Sequence, residues 1–306
     1  MADKILYVSD LDNTLLGKDS RLSPFTLETL NRLIQEGLLF TFASARSLTS
    51  AAKTIQGLNL HLPVITYNGT FIQDAGTGEI LHGCTFDTDQ RWAVMEILEG
   101  FGVSPLVYAF VDGVERLSWR LGTENAGMKN YLDNRQGDPR LNPIPAGAAA
   151  DTAQIPPESS TAPSIMPVAA PVTPPVLLPP LYAGDIFYFT CIGTYEEFLP
   201  VRDKLAAIAG IRCSLCPEPG RPGEYWCEIM PAGASKAQAI LRLKKILGAR
   251  KVITFGDAQN DIPMFKVSDE CYAVANACDE LKQLADGIIL SNAGDGVARF
   301  LDSLTH

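Results

Sequence analysis

Asp10 and Asp12 stand two residues apart in the run Asp10-Leu11-Asp12-Asn13-Thr14, directly after the apolar stretch 5–8. Side chains alternate along a strand, so carboxylates at i and i+2 share a face if the extended geometry continues. Two acids at the C-terminal end of a buried strand do little for stability. They suit a divalent cation, and a division of labour between a nucleophile and a proton donor. The competing reading is an acidic turn that caps the next helix. Three further groups carry the same kind of chemistry. Ser44, with Arg46 two residues on, ends the apolar run 38–43, and Asp257, Asn260 and Asp261 follow the run 251–255. Lys236 opens a helical pattern whose apolar face is Ile240, Leu243 and Leu247. A lysine at a helix N-terminus opposes the helix dipole and so calls for an anion beside it.

The elements that must place these residues alternate along the chain. Ser23 and Pro24 read as N-cap and first position of a helix that carries Leu27, Leu30 and Ile34 and closes at Gly37. Apolar runs at 5–8, 38–43, 63–67 and 251–255 alternate with helical patterns, and 271–274 and 287–290 read as the last short strands. Unbroken apolar strands separated by helices indicate an α/β fold with a parallel sheet covered on both faces. In such sheets ligands lie beyond the carboxyl ends of the strands, where every candidate above falls. The middle differs. Runs 105–111 and 114–120 joined by Asp112-Gly113 read as a hairpin; helices are expected over 87–101, 124–135 and 194–209, and strands over 185–192, 211–216 and 225–230. This pattern predicts an antiparallel α+β domain inserted into the parallel one. Eleven of the 21 prolines fall between Pro143 and Pro180, which predicts a disordered or polyproline-like loop over 143–181 unable to form a ladder or helix. Pro171 and Pro174 within it match a PxxP ligand pattern.

Composition sets the outer limits. A chain of 306 residues with 46% hydrophobic content is ample for a packed core. A net charge of −10 argues against nucleic acid and anionic membrane surfaces as partners, while a local lysine or Mg²⁺ can still serve an anionic substrate. No stretch reads as a membrane span or signal peptide. Seven scattered cysteines, an odd number, suggest reduced thiols in a cytoplasmic protein. Cys213 and Cys216 form a lone CxxC far from His61, His82 and His306 in sequence, so ordinary strand residues are expected there rather than a zinc site. An EF-hand reading of the run from Asp10 fails because Leu15 replaces the required glycine and Arg21 the final glutamate. Neither GxxxxGK[ST] nor a full GxGxxG occurs, which disfavours a nucleotide-binding loop.

Taken in order, Asp10 and Asp12, Ser44, Lys236, then Asp257 and Asp261 form four motifs in register. The order and flanking residues resemble the haloacid dehalogenase-like hydrolases, in particular the Cof-type phosphatases with a large inserted cap. The family's usual threonine is Ser44 here, which keeps the hydroxyl, and its usual glycine after the second aspartate is Asn13. The resemblance implies a Rossmann-like doubly wound core over residues 1–83 and 228–306, with an α+β cap over 84–227. It implies Mg²⁺-dependent hydrolysis of small phosphorylated metabolites, sugar phosphates first, through an aspartyl-phosphate. On that reading Asp10 is the nucleophile and Asp12 the general acid and base. Ser44 and Lys236 grip the phosphoryl group, with Arg46 and Asn260 as further candidates. The metal residues are Asp10, Asp12 through its backbone carbonyl, Asp257 and Asp261. A phosphosugar mutase of the same fold, or a silent phosphometabolite-binding protein, would keep the same motifs. Leaving-group recognition would fall to cap residues such as Arg116, Trp119, Arg120, Tyr188 and Trp226.

Overall fold

The computed structural model describes residues 4–145, 179–218 and 220–304, and the chain forms two compact units, Met1–Thr85 with Met230–His306 and Phe86–Ile229. The first unit begins with β1 (Ile5–Ser9), α1 (Pro24–Gln35), β2 (Leu39–Phe42) and α2 (Leu48–Thr54). Ser23 caps α1 by accepting a bond from the Thr26 amide, with Pro24 in its first turn and Gly37 beyond its end at φ +102°, as the sequence signals predict. Next come β3 (Val64–Thr66), β4 (Phe71–Gln73) and β5 (Ile80–Gly83).

The second unit runs α3 (Thr88–Gly100), β6 (Leu106–Val111), β7 (Val114–Arg120), α4 (Ala126–Asp133), β8 (Leu141–Ile144), β9 (Asp185–Gly193), α5 (Tyr195–Ala206), β10 (Ile211–Pro217) and β11 (Tyr225–Pro231). Among the described residues, its strands form a six-stranded sheet in the order β10-β11-β9-β6-β7-β8. The β6–β7 hairpin turns at Asp112 and Gly113, both at positive φ, as the Asp-Gly signal requires. Apolar residues of β6, β9 and β11 form a core with Val94 and Leu98 of α3 and Phe198, Val201 and Leu205 of α5. Pro143 is a correction to the expected structureless loop. It sits in β8, a parallel edge strand opposite Trp119, where a residue without an N–H is tolerated. Residues 180–182 form a single 3₁₀ turn, while Pro171 and Pro174 lie outside the described residues.

The first unit resumes with α6 (Lys236–Leu247), β12 (Lys251–Gly256), α7 (Ile262–Phe265), β13 (Glu270–Val274), α8 (Asp279–Leu284), β14 (Gly287–Ile289) and α9 (Gly296–Ser303). Five strands make an all-parallel sheet in the order β14-β13-β12-β1-β2. β1 lies inside it between β12 and β2, and Leu6 and Val8 are fully buried among Leu30, Leu33, Ile240, Leu243 and Val252. This is the α/β class expected, with one correction. β3, read as the next parallel strand, is parallel to β2 but pairs with it only as an isolated Ala43–Ile65 bridge, and it also starts an antiparallel meander with β4 and β5. No helix among the described residues is long and apolar enough to cross a membrane.

Candidate active site

β1 and β12 run side by side in parallel, so their C-terminal ends meet, and the Asp10 amide donates to the Phe255 carbonyl at 2.9 Å. That pairing places Asp10 beside the turn that carries Asp257 and Asp261. Lys236, the first residue of α6, reaches into the same place. Its Nζ donates to Asp10 Oδ1 at 2.5 Å and to Asp261 Oδ1 at 2.7 Å. The anion expected beside this lysine is therefore a pair of aspartates. Asp261 accepts on its other oxygen from the amides of Asp257 at 3.0 Å and Ala258 at 3.2 Å, which fixes the turn. Thr14, buried, donates its hydroxyl to Asp257 Oδ1 at 3.0 Å. Gly256 is required here because a Cβ would come within 2.8 Å of Asp261.

Carboxylate oxygens of Asp10, Asp257 and Asp261 lie within 4.8 Å of one another, with Lys236 as the cation bonded among them. Burial raises Asp10 well above the ordinary carboxylate range; Lys236 opposes the shift, and the charges of Asp261 and Asp257 reinforce it. Asp257 is pushed up to about 6, by burial first and by Asp261 second. Burial also works against the charge on Lys236, but Asp10 and Asp261 outweigh it and keep the ammonium protonated above its usual range. Three acids share one lysine, so the cluster carries excess negative charge in a poorly solvated place. An all-oxygen donor set of this charge fits a hard divalent cation such as Mg²⁺.

That electrostatic state has a measurable sign. With Asp257 raised in the folded state, this residue binds more protons in the folded chain than in the unfolded chain between about pH 4 and pH 6. This contribution to stability therefore falls as pH rises through that window. Added Mg²⁺ is expected to raise Tm more at about pH 7.5 than at about pH 5, because protons compete for the same oxygens. Equal gains at both pH values in a thermal shift series would refute cation binding at these aspartates.

The remaining sequence candidates separate into two groups. Ser44 is fully buried; its amide donates to the Ile65 carbonyl and its carbonyl accepts from the Asn68 amide, both at 2.9 Å. Asp12 does not join the carboxylate cluster through its side chain. The chain leaves the extended form at a five-residue turn, Leu11–Leu15, with Asn13 at φ +57°, so the two acids meet different partners. Asp12 is held instead by Arg46, whose Nε and Nη2 donate to its two oxygens at 2.8 and 2.6 Å. Asn13 occupies a left-handed position at φ +57° that asparagine tolerates better than most side chains. Asn260 is exposed, and its side chain has no hydrogen-bond partner among the described residues.

Two contributors escaped the sequence reading. Thr14 was visible only as a hydroxyl two residues past the acid pair. The turn Tyr67–Gly69 was visible as Asn68-Gly69 after a strand. Gly69 sits at φ +96°, and a Cβ there would come within 2.1 Å of the Ser235 backbone, so this glycine lets the turn lie against the start of α6. In the second unit, the proposed leaving-group residues already touch protein partners, although the Trp226 indole N–H is buried without a hydrogen-bond partner among the described residues. Trp119 donates to Glu124 at 2.7 Å, Arg116 to the Pro139 carbonyl at 3.2 Å, and Arg120 pairs with Glu99 at 3.4 Å. Tyr188 is buried beside Tyr108, and Trp226 meets Tyr131 edge-on. Cys213 and Cys216 lie in β10; Cys213 is 3.5 Å from Cys227 across to the next strand, and all seven cysteines are free thiols.

Comparison with known proteins agrees with this architecture. The chain is 26% identical over 311 residues to the 5-amino-6-(5-phospho-D-ribitylamino)uracil phosphatase YwtE of Bacillus subtilis, covering 96% of each chain. It is 26% identical to an HMP-PP phosphatase of Serratia proteamaculans over 91% of this chain and 86% of that one. Its fold matches the crystal structure of a haloacid dehalogenase-like hydrolase from Bacteroides thetaiotaomicron with a TM-score of 0.70 at 21% identity, covering 99% of both. A family model described as haloacid dehalogenase-like hydrolase matches residues 7–119 and 186–301, a span that takes in every aspartate of the cluster and Lys236. On that match, with the strand-end carboxylates in place, the chain belongs to the haloacid dehalogenase-like hydrolases.

Proposed function

We propose that this protein is a Mg²⁺-dependent phosphatase that hydrolyses phosphomonoesters of small metabolites, sugar phosphates foremost, through an aspartyl-phosphate on Asp10. The observation that carries the reading is the buried Asp10 carboxylate at the end of the central parallel strand, bonded to Lys236 and flanked by Asp257 and Asp261. The relatives named above as phosphatases support the reaction class.

Each residue then has a task. Asp10 attacks phosphorus, the bond from phosphorus to the ester oxygen breaks, and Asp12 delivers a proton to the leaving oxygen. Water next attacks the aspartyl-phosphate and gives its proton to Asp12, which releases phosphate and restores Asp10. Lys236 and the Ser44 hydroxyl bind the phosphoryl oxygens, where charge develops, and Asn260 belongs to the same shell. Asp10, Asp257 and Asp261, with the Asp12 carbonyl, would hold Mg²⁺, which when bound neutralises charge on the transferring group.

The test is phosphate release from a panel of phosphorylated metabolites, with Mg²⁺ and with EDTA. Release that requires the metal is expected, with sugar phosphates ranked highest. No release from any ester would overturn the phosphatase reading, and a ranking led by another class would overturn the substrate assignment.

A further inference from the structure

We propose that Arg46 is the positioning residue for Asp12, a role that rests on the phosphatase reading above. The guanidinium grips Asp12 side-on, Nε to Oδ2 at 2.8 Å and Nη2 to Oδ1 at 2.6 Å. A planar fork on both oxygens fixes the plane of the carboxylate as well as its place, which a point charge cannot do. Arg46 is in turn fixed at three points. Its amide donates to Ser44 Oγ at 3.1 Å, its carbonyl accepts from the Tyr67 amide at 3.0 Å, and Nη1 donates to Ser50 Oγ at 3.3 Å. The orientation of Asp12 is thereby set from the β2–α2 corner and the turn after β3, not from its own loop.

Asp12 needs such a brace. Its backbone lies in a non-helical turn beside the left-handed Asn13, and 42% of its side chain is exposed, so packing alone does not select a rotamer. The pair is partly solvated, with Arg46 25% and Asp12 42% exposed, and ion pairs in contact with water contribute little to stability. Orientation, by contrast, matters greatly to a proton donor, which must meet the leaving oxygen within hydrogen-bond reach. Each carboxylate oxygen accepts one N–H from Arg46, which leaves further lone pairs directed away from the fork for a hydrogen bond with the leaving oxygen.

The experiment compares kcat/KM for an alkyl phosphate with that for p-nitrophenyl phosphate. Alkoxide needs a proton as it leaves, whereas p-nitrophenolate leaves unaided, and kcat/KM reports the first transfer alone. Arg46→Ala is expected to lower kcat/KM on the alkyl ester about 10- to 100-fold more than on the aryl ester. In Asp12→Asn the alkyl ester suffers the same selective loss, and adding Arg46→Ala to it costs little more, because both act through one proton. Arg46→Lys, which keeps the charge and loses the fork, is expected to show the selective loss too. Equal losses on both esters, or multiplying losses in the double variant, would assign Arg46 to the phosphoryl group instead and overturn the positioning role. Wild-type activity of Arg46→Lys on both esters would overturn it as well. A wild-type enzyme that hydrolyses neither ester removes the phosphatase reading itself, a result distinct from any of these.

Discussion

Asp10→Asn is expected to lower phosphate release by on the order of 10⁴-fold or more while leaving the first unit folded. An amide has no charged oxygen with which to open the ester, and no other carboxylate of the cluster can replace it. Asp261 is held by Lys236 and two backbone amides, and Asp257 by Thr14. The fold has no comparable need of the charge. Burial already works against an ionised Asp10, and an asparagine oxygen can still accept the bond from Lys236. Phosphate release beside a thermal melt separates the two effects. Retained turnover would sink the nucleophile assignment, and a collapsed melt would show that the carboxylate is chiefly structural.

Lys236→Met is expected to reverse that balance and cost both activity and stability. Removing the ammonium leaves Asp10 and Asp261 buried without their shared partner, for which the expected loss is about 3–5 kcal/mol. Protonation of one aspartate relieves part of that cost, so the melt should recover as pH falls toward about 5. Turnover should drop on the order of 10²–10³-fold, because one fixed positive charge no longer meets the transferring phosphoryl group. The stabilisation by Mg²⁺ should grow, since the cluster has lost its own cation. If Mg²⁺ stabilised the variant less than the wild type, the view of Lys236 and the metal as sharing one pool of negative charge would fail.

The parallel core was legible because its strands read as unbroken apolar runs, each ending in polar residues that the topology brings together. Asp10, Lys236 and Asp261, far apart in sequence, meet because β1 pairs with β12 and α6 begins beside them. What escaped depended on backbone torsions. The alternation rule placed Asp10 and Asp12 on one face, but it holds only while the chain stays extended, and the turn at Leu11–Leu15 ends that. The Asp12–Arg46 fork follows from that turn and has no one-dimensional signature. β4 and β5 were overlooked because one has three residues and the other is mostly exposed, so neither shows an apolar period. Pro143 misled in the other direction, since proline forbids a ladder only where its missing N–H would be used.

The register of β1 against β12 also constrains how the chain comes off the ribosome. Ile5 pairs with Lys251, 246 positions later, and the whole second unit lies between them. At about 5–20 residues per second, the strand that carries Asp10 waits roughly 12–50 s for its partner. Meanwhile β2 can cover one edge of β1, and the other edge presents unpaired backbone along an apolar strand. Synthesis thus passes through a stage in which an apolar central strand of the core has one edge unpaired. Substitutions in β1 would therefore be felt in folding yield as well as in final stability.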